Sequence, residues 1–134
     1  MKLIWNEEFL TGIESIDEQH KRIFDLIERL ENEIDKQCST TEIPAEIIME
    51  LLDYTLKHFI FEESLLEQND YPEFTDHKIA HDMLTMKVMQ YKEDLDADKQ
   101  IDCSELINFL YEWLTTHIKI VDMKYVSFIK EKVS

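Results

Sequence analysis

The chain has little of what builds tight turns, disulfide frameworks or membrane spans. One glycine and two prolines in 134 residues exclude a fold that depends on many sharp turns and favour long helices with short connections. Two cysteines without a secretory signal exclude a disulfide scaffold and point to free thiols in a reducing compartment. The opening MKLIWNEEF is no such signal, because its apolar run breaks at Asn6 and Glu7. No stretch reaches the length of about 18 uncharged apolar residues that a membrane helix needs. Only 14 Lys and Arg stand against 30 Asp and Glu, for a net charge of −16, which excludes nucleic acid and anionic membranes as partners. Most of those carboxylates read as solvated helix faces. The expected location is cytoplasmic, and 134 residues suit one domain that buries about two thirds of its unfolded surface.

What is present is helical periodicity. Residues 1–13 read as an N-terminal arm that Trp5 and Phe9 tuck against the domain, with Gly12 permitting a turn. Ser15, followed by Glu18, predicts a capping box for a helix over about 15–37, with the stripe Ile16, His20, Ile23, Ile27, Leu30 and Ile34, flanked by Phe24. A connection at Cys38–Thr41 leads to Pro44 and a second helix to about 69, which presents Ile48, Leu51, His58, Glu62 and Leu65. Asn69-Asp70-Tyr71 precedes Pro72 and a third helix, about 72–96, striped by Phe74, His77, His81, Leu84, Val88, Tyr91 and Leu95. After residues 97–103 a fourth, about 103–131, turns Leu106, Leu110, Trp113, His117 and Val121 inward. The expectation is all-α: one domain over 1–134, an antiparallel up-down-up-down four-helix bundle.

Histidine is where the stripes depart from ordinary core. His58 and Glu62, four apart, share one helix face, and alone they fit a hydrogen-bonded core pair better than a metal site. Topology adds a test. The start of the first helix, the end of the second, the start of the third and the end of the fourth share one end of such a bundle. Counted inward from that end at about 1.5 Å per residue, His20, His58, Glu62, His77, His81 and His117 lie within about 8–21 Å, as does Asp122. All five histidines thus gather in one layer, which independent core histidines have no reason to do. Asp122 is less well placed, because five residues from His117 is about 140° around an ideal helix. It reaches the layer only from the stripe's edge or through a local widening of the helix; otherwise it is a solvated surface acid.

This set, His20, His58-x3-Glu62, His77-x3-His81 and His117-x4-Asp122, resembles the hemerythrin family in its bacterial single-domain form. The surroundings agree: Ile13-x-x-Ile16-Asp17-x-Gln19-His20-Lys21, His58-Phe59-x-x-Glu62-Glu63, Tyr71-Pro72-x4-His77 and Trp113-Leu114-x-x-His117-Ile118. The resemblance covers nearly the whole chain. It implies a non-haem di-iron centre that binds O2 reversibly, for storage, delivery or scavenging, without enzymatic turnover. It assigns His77, His81 and His117 to one iron and His20 and His58 to the other, with Glu62 and Asp122 bridging both. It implies an O2 pocket drawn from Ile23, Phe24, Phe59, Trp113, Leu114 and Ile118, although Ile23 and Phe24 also read as ordinary core. The expected partner is O2, with an O2-consuming protein beyond it, and the expected state is a monomer or weak homo-oligomer. Tyr125, one turn past Asp122, is a candidate support for the site.

Two other classes compete. A ferritin-like di-iron oxidase or ferroxidase needs Glu-x-x-His from two helices, and the nearest match is Asp17-x-x-His20. A sensor of O2 or redox state acting through a partner is expected to carry a signalling domain, and none is evident in these 134 residues. Cys38 and Cys103 fall at the end opposite the histidine layer, so neither is expected to be a ligand.

Overall fold

Asp17 fixes how the chain enters its first helix. Its carboxylate accepts from the backbone N–H of Thr11 at 2.7 Å, from the Thr11 hydroxyl at 2.7 Å and from the Gly12 N–H at 3.1 Å. Gly12 takes φ 86°, a left-handed turn that suits glycine, and folds the arm back over the helix. This corrects the expected capping box: α1 runs Glu14–Lys36, so Ser15 already lies in its first turn. The computed structural model describes residues 5–36, 45–97, 99 and 102–133, without the side chains of 34–36, 45 and 131–133. The expectations on Ile34, Cys38 and Pro44 lie outside the described side chains.

In the arm, a single 3-10 turn, Glu7–Phe9, carries Phe9 into the core at 2% exposure. Trp5 stacks on Phe9 at 5.0 Å and meets Phe24 edge-on at 5.5 Å. After α1 come α2, Ala45–Gln68, and α3, Phe74–Asp96. Pro72 therefore precedes α3 by two residues rather than opening it. Between them Asp70 adopts φ 53°, a left-handed turn residue that Asp tolerates. Asp102 then caps α4, Cys103–Thr116, by accepting from the Glu105 N–H at 3.0 Å. Cys103 is the first residue of that helix and is buried. The fourth rod continues as a π-helical segment, His117–Asp122, and then α5, Met123–Val133.

The rods form a four-helix bundle, α1 lying against α2 and α4, and α2 against α3. One apolar cluster fills most of the interior, from Leu30, Ile47, Leu51, Val88 and Ile107 up to Phe59, Leu114 and Ile118. A second, Leu66, Tyr71, Tyr125, Val126 and Ile129, closes the other end. The histidine layer touches both: Phe59 stacks on His81, and Tyr125 packs edge-on against His77. Among the described residues no helix is long and apolar enough to cross a membrane.

Candidate metal centre

Seven ionisable side chains meet between those clusters, each at most 3% exposed. α1 contributes His20, α2 His58 and Glu62, and α3 His77 and His81. The fourth rod contributes His117 and Asp122. The four-residue spacings put each α2 and α3 pair on one face, as the periodicity predicts. His117 and Asp122 share a face because they are the two ends of the π-helical segment, whose i→i+5 hydrogen bonding stacks residues five apart. Of the routes the spacing left open for Asp122, the local widening is the one the chain takes. Asp122 is fully buried.

The donor atoms converge. Each histidine turns Nε2 inward, and each carboxylate turns one oxygen to one side of the layer and one to the other. Glu62 Oε1 lies 2.5 Å from His77, 3.0 Å from His81 and 3.8 Å from His117. Its Oε2 lies 3.3 Å from His58 and 3.7 Å from His20. Asp122 Oδ1 lies 3.0 Å from His117 and 3.3 Å from His77, while Oδ2 lies 3.0 Å from His20. Two overlapping groups result, Glu62-His77-His81-His117-Asp122 and His20-His58-Glu62, and each could hold a metal ion.

His77 Nε2 and Glu62 Oε1 are hydrogen-bonded, but much of the remaining proximity is not hydrogen bonding. Both Asp122 oxygens and the Nε2 atoms of His20 and His58 are buried, yet none has a hydrogen-bond partner among the described residues. The His81 and His117 Nε2 atoms face one another at 3.1 Å. Burying such groups unsatisfied costs several kcal/mol. Lone pairs that converge on common points, instead of pairing with one another, are what a bound cation requires. Imidazole and carboxylate together suit iron, zinc or manganese.

Protons take up part of that role when no cation is bound. Burial pushes the His20 imidazole down, but the Asp122 and Glu62 carboxylates outweigh it and carry it up to about 9. For His117 burial again acts downward, and Asp122 and Glu62 again prevail, to about 9. His77 is raised for the same reasons. His58 goes the other way: burial lowers it, and Glu62 does not compensate. Burial would raise Glu62 and Asp122, yet the surrounding imidazoles hold Glu62 well below its usual range and Asp122 below its own.

Around the layer, three groups hold its members in place. Tyr125 donates its hydroxyl to Glu62 Oε2 at 3.0 Å, and burial, followed by the two carboxylates, raises its pKa. Gln19 Oε1 lies 2.6 Å from His58 Nδ1, and Glu63 Oε2 lies 2.9 Å from His81 Nδ1. Neither Gln19 nor Glu63 carries a role in the sequence reading. The available signal was position: each is the chain neighbour of a layer residue and can accept a hydrogen bond. Of the six apolar candidates, Ile23, Phe24, Phe59, Leu114 and Ile118 are buried in one cluster, and Trp113 packs against it, half-buried. Trp113 also stacks on His117 at 4.5 Å.

Known proteins are similar to this chain over most of its length. Residues 11–129 match the profile described as the hemerythrin HHE cation binding domain. A bacteriohemerythrin of Pseudomonas aeruginosa is 37% identical over 132 residues, covering 98% of this chain and 84% of that protein. A bacteriohemerythrin of Clostridium acetobutylicum is 32% identical over 130 residues, covering 92% of this chain and 98% of that protein. A solved structure of wild-type hemerythrin superposes with a TM-score of 0.83 at 28% identity, covering 95% of this chain and 97% of that one.

Proposed function

The chain belongs to the hemerythrin family, and from that premise we propose that its buried layer is a di-iron centre that binds O2 reversibly, for storage, delivery or scavenging, without enzymatic turnover. His77, His81 and His117 hold one iron and His20 and His58 the other, with Glu62 and Asp122 spanning the two. The observation that carries the reading is the carboxylate geometry: each acid presents one oxygen to each side of the layer. Counting protein donors gives three imidazoles and two carboxylate oxygens on one side, and two imidazoles and two oxygens on the other. The side with His20 and His58 offers fewer protein donors and would leave room for an external ligand. Two irons held there would supply the redox chemistry for binding O2.

The protein's part is to exclude what would make that binding irreversible. Leu114 is 2% exposed and Ile118 fully buried, and both flank His117 along the chain. With Phe59, Ile23, Phe24 and Trp113 they form a wall that carries no acid. Water and proton donors are unfavourable in such surroundings. The hydroxyl of Tyr125 is committed to Glu62. An oxidase needs a proton delivered to oxygen, and this wall withholds it.

Visible spectra recorded anaerobically on the iron-loaded chain, then under O2, then after purging, test the reading. Full return to the first spectrum over repeated cycles is expected. Sustained peroxide production under added reductant would replace the carrier by an oxidase.

A further inference from the structure

The outward nitrogens of the histidines are not treated alike. With Nε2 turned to a metal as a lone-pair donor, Nδ1 carries the proton and needs an acceptor. His20 and His77 have no hydrogen-bond partner for Nδ1 among the described residues. His58 donates to the neutral amide oxygen of Gln19, and His81 donates to the carboxylate of Glu63. These two acceptors fall on opposite sides of the layer, since His58 belongs to one metal-capable group and His81 to the other. One side has an uncharged acceptor and the other a charged one.

The difference has an electronic consequence. A carboxylate draws the Nδ1 proton more strongly than an amide does, which gives the ring more imidazolate character and makes its other nitrogen a stronger donor. His81 is also held in the orientation this needs. Phe59 lies flat on it, 3.8 Å away and 7° from parallel, so the axis from Nδ1 to Nε2 runs from Glu63 into the layer. The Glu63 side chain is 19% exposed, buried enough to limit screening of its interaction with His81.

We propose that Glu63 is a positioning and tuning residue: through His81 it makes the metal ion on His77, His81 and His117 the more tightly held and the harder to reduce of the two. This rests on the two-ion reading above. The histidine count, three against two, favours the same ion, and Glu63 adds to that bias. Gln19 leaves the His20–His58 ion, the one with room for an external ligand, the more weakly held.

The experiment uses the full chain loaded anaerobically with ferrous iron, with Glu63→Gln and Gln19→Glu beside the parent. Iron loss to an excess chelator is followed in time, and reduction potentials are measured by spectroelectrochemical titration. The parent should lose iron in two phases. Glu63→Gln should speed the slow phase about tenfold or more and leave the fast phase unchanged, since removing such a partner weakens metal binding about 10–100-fold. The lower of its two potentials, that of the His77-His81-His117 ion, should rise by about 59 mV or less per tenfold effect on a one-electron couple, and the higher one should stay unchanged. Gln19→Glu should slow the fast phase and lower the higher potential. A purely structural role would shift melting temperature but neither potential. Parent behaviour in both variants, or equal weakening of both ions by Glu63→Gln, overturns the proposal. If the parent takes up a single ion, the two-ion reading fails by itself. The Glu63 claim is then read on that ion, and an unchanged loss rate in Glu63→Gln overturns it.

Discussion

At one end of the bundle Leu30, Ile47, Leu51, Val88 and Ile107 are buried against one another, and nothing beyond their packing is needed to hold them. Toward the other end, between that cluster and the one around Tyr125 and Ile129, seven ionisable groups are buried as deeply, and several of their polar atoms lack hydrogen-bond partners among the described residues. The apolar end contributes on the order of 1.5–3 kcal/mol per side chain under any solution conditions that keep the chain in water. The contribution of the polar end depends on what occupies it, protons or metal. The difference separates two tasks within one set of helices: the apolar half folds the chain, and the polar half is held ready for a cation by the fold around it.

The largest way to break that comparison is at Glu62. Because its two oxygens serve both sides of the layer, Glu62→Ala should lower metal content by more than one ion of about two, with the far-UV circular dichroism of a helical bundle retained. Loss of one ion or less would show that Glu62 does not span both groups. Leu30→Ala probes the other end. It should cost about 3 kcal/mol by leaving a cavity, equally in metal-free and metal-loaded protein, with metal content unchanged. A penalty that differs between the two forms would show that the halves are energetically linked.

The metal-free protein should also sharpen the comparison through pH. His20 and His117 stand at about 9 when folded against about 6.5 when unfolded. A raised folded value means their stabilisation is complete below about 6.5 and is lost as pH climbs toward 9. That is about 3 kcal/mol at most for either, and the two do not add because they share Asp122 and Glu62. Glu62 and Asp122 are lowered, so their stabilisation is present above their unfolded values and is lost as pH falls. Melting temperature of the metal-free chain should therefore peak in mildly acidic solution. Metal uptake near pH 7 should release about two protons, measurable in weakly buffered solution. A melting temperature that rises steadily from pH 6.5 to 9 would contradict the assignment. The smallest effect is at Tyr125: replacing it with Phe removes one hydroxyl donor to Glu62, at about 1–2 kcal/mol, read as faster metal loss to a chelator with a nearly unchanged melting curve.

The sequence carried the bundle plainly because its stripes alternate three and four: Ile16, His20, Ile23, Ile27 and Leu30 are all buried along one face of α1. His58 with Glu62, and His77 with His81, were legible by the same rule. Asp122 was not, because its five-residue distance from His117 makes sense only once the helix widens, and no local propensity reports that. The start of α1 was misplaced because capping rules are local, whereas Asp17 serves amides of the arm across a left-handed Gly12. Gln19 and Glu63 escaped because their partners lie on neighbouring helices, at a register that periodicity does not set.

Occupancy of the layer by two irons is open to direct measurement. The chain is loaded with ferrous iron under anaerobic conditions, freed of unbound metal and analysed for iron, zinc and protein together. The account predicts about two irons per chain, as seven imidazole and carboxylate donors on two shared groups require. One iron per chain, or zinc in place of iron after that loading, would contradict it.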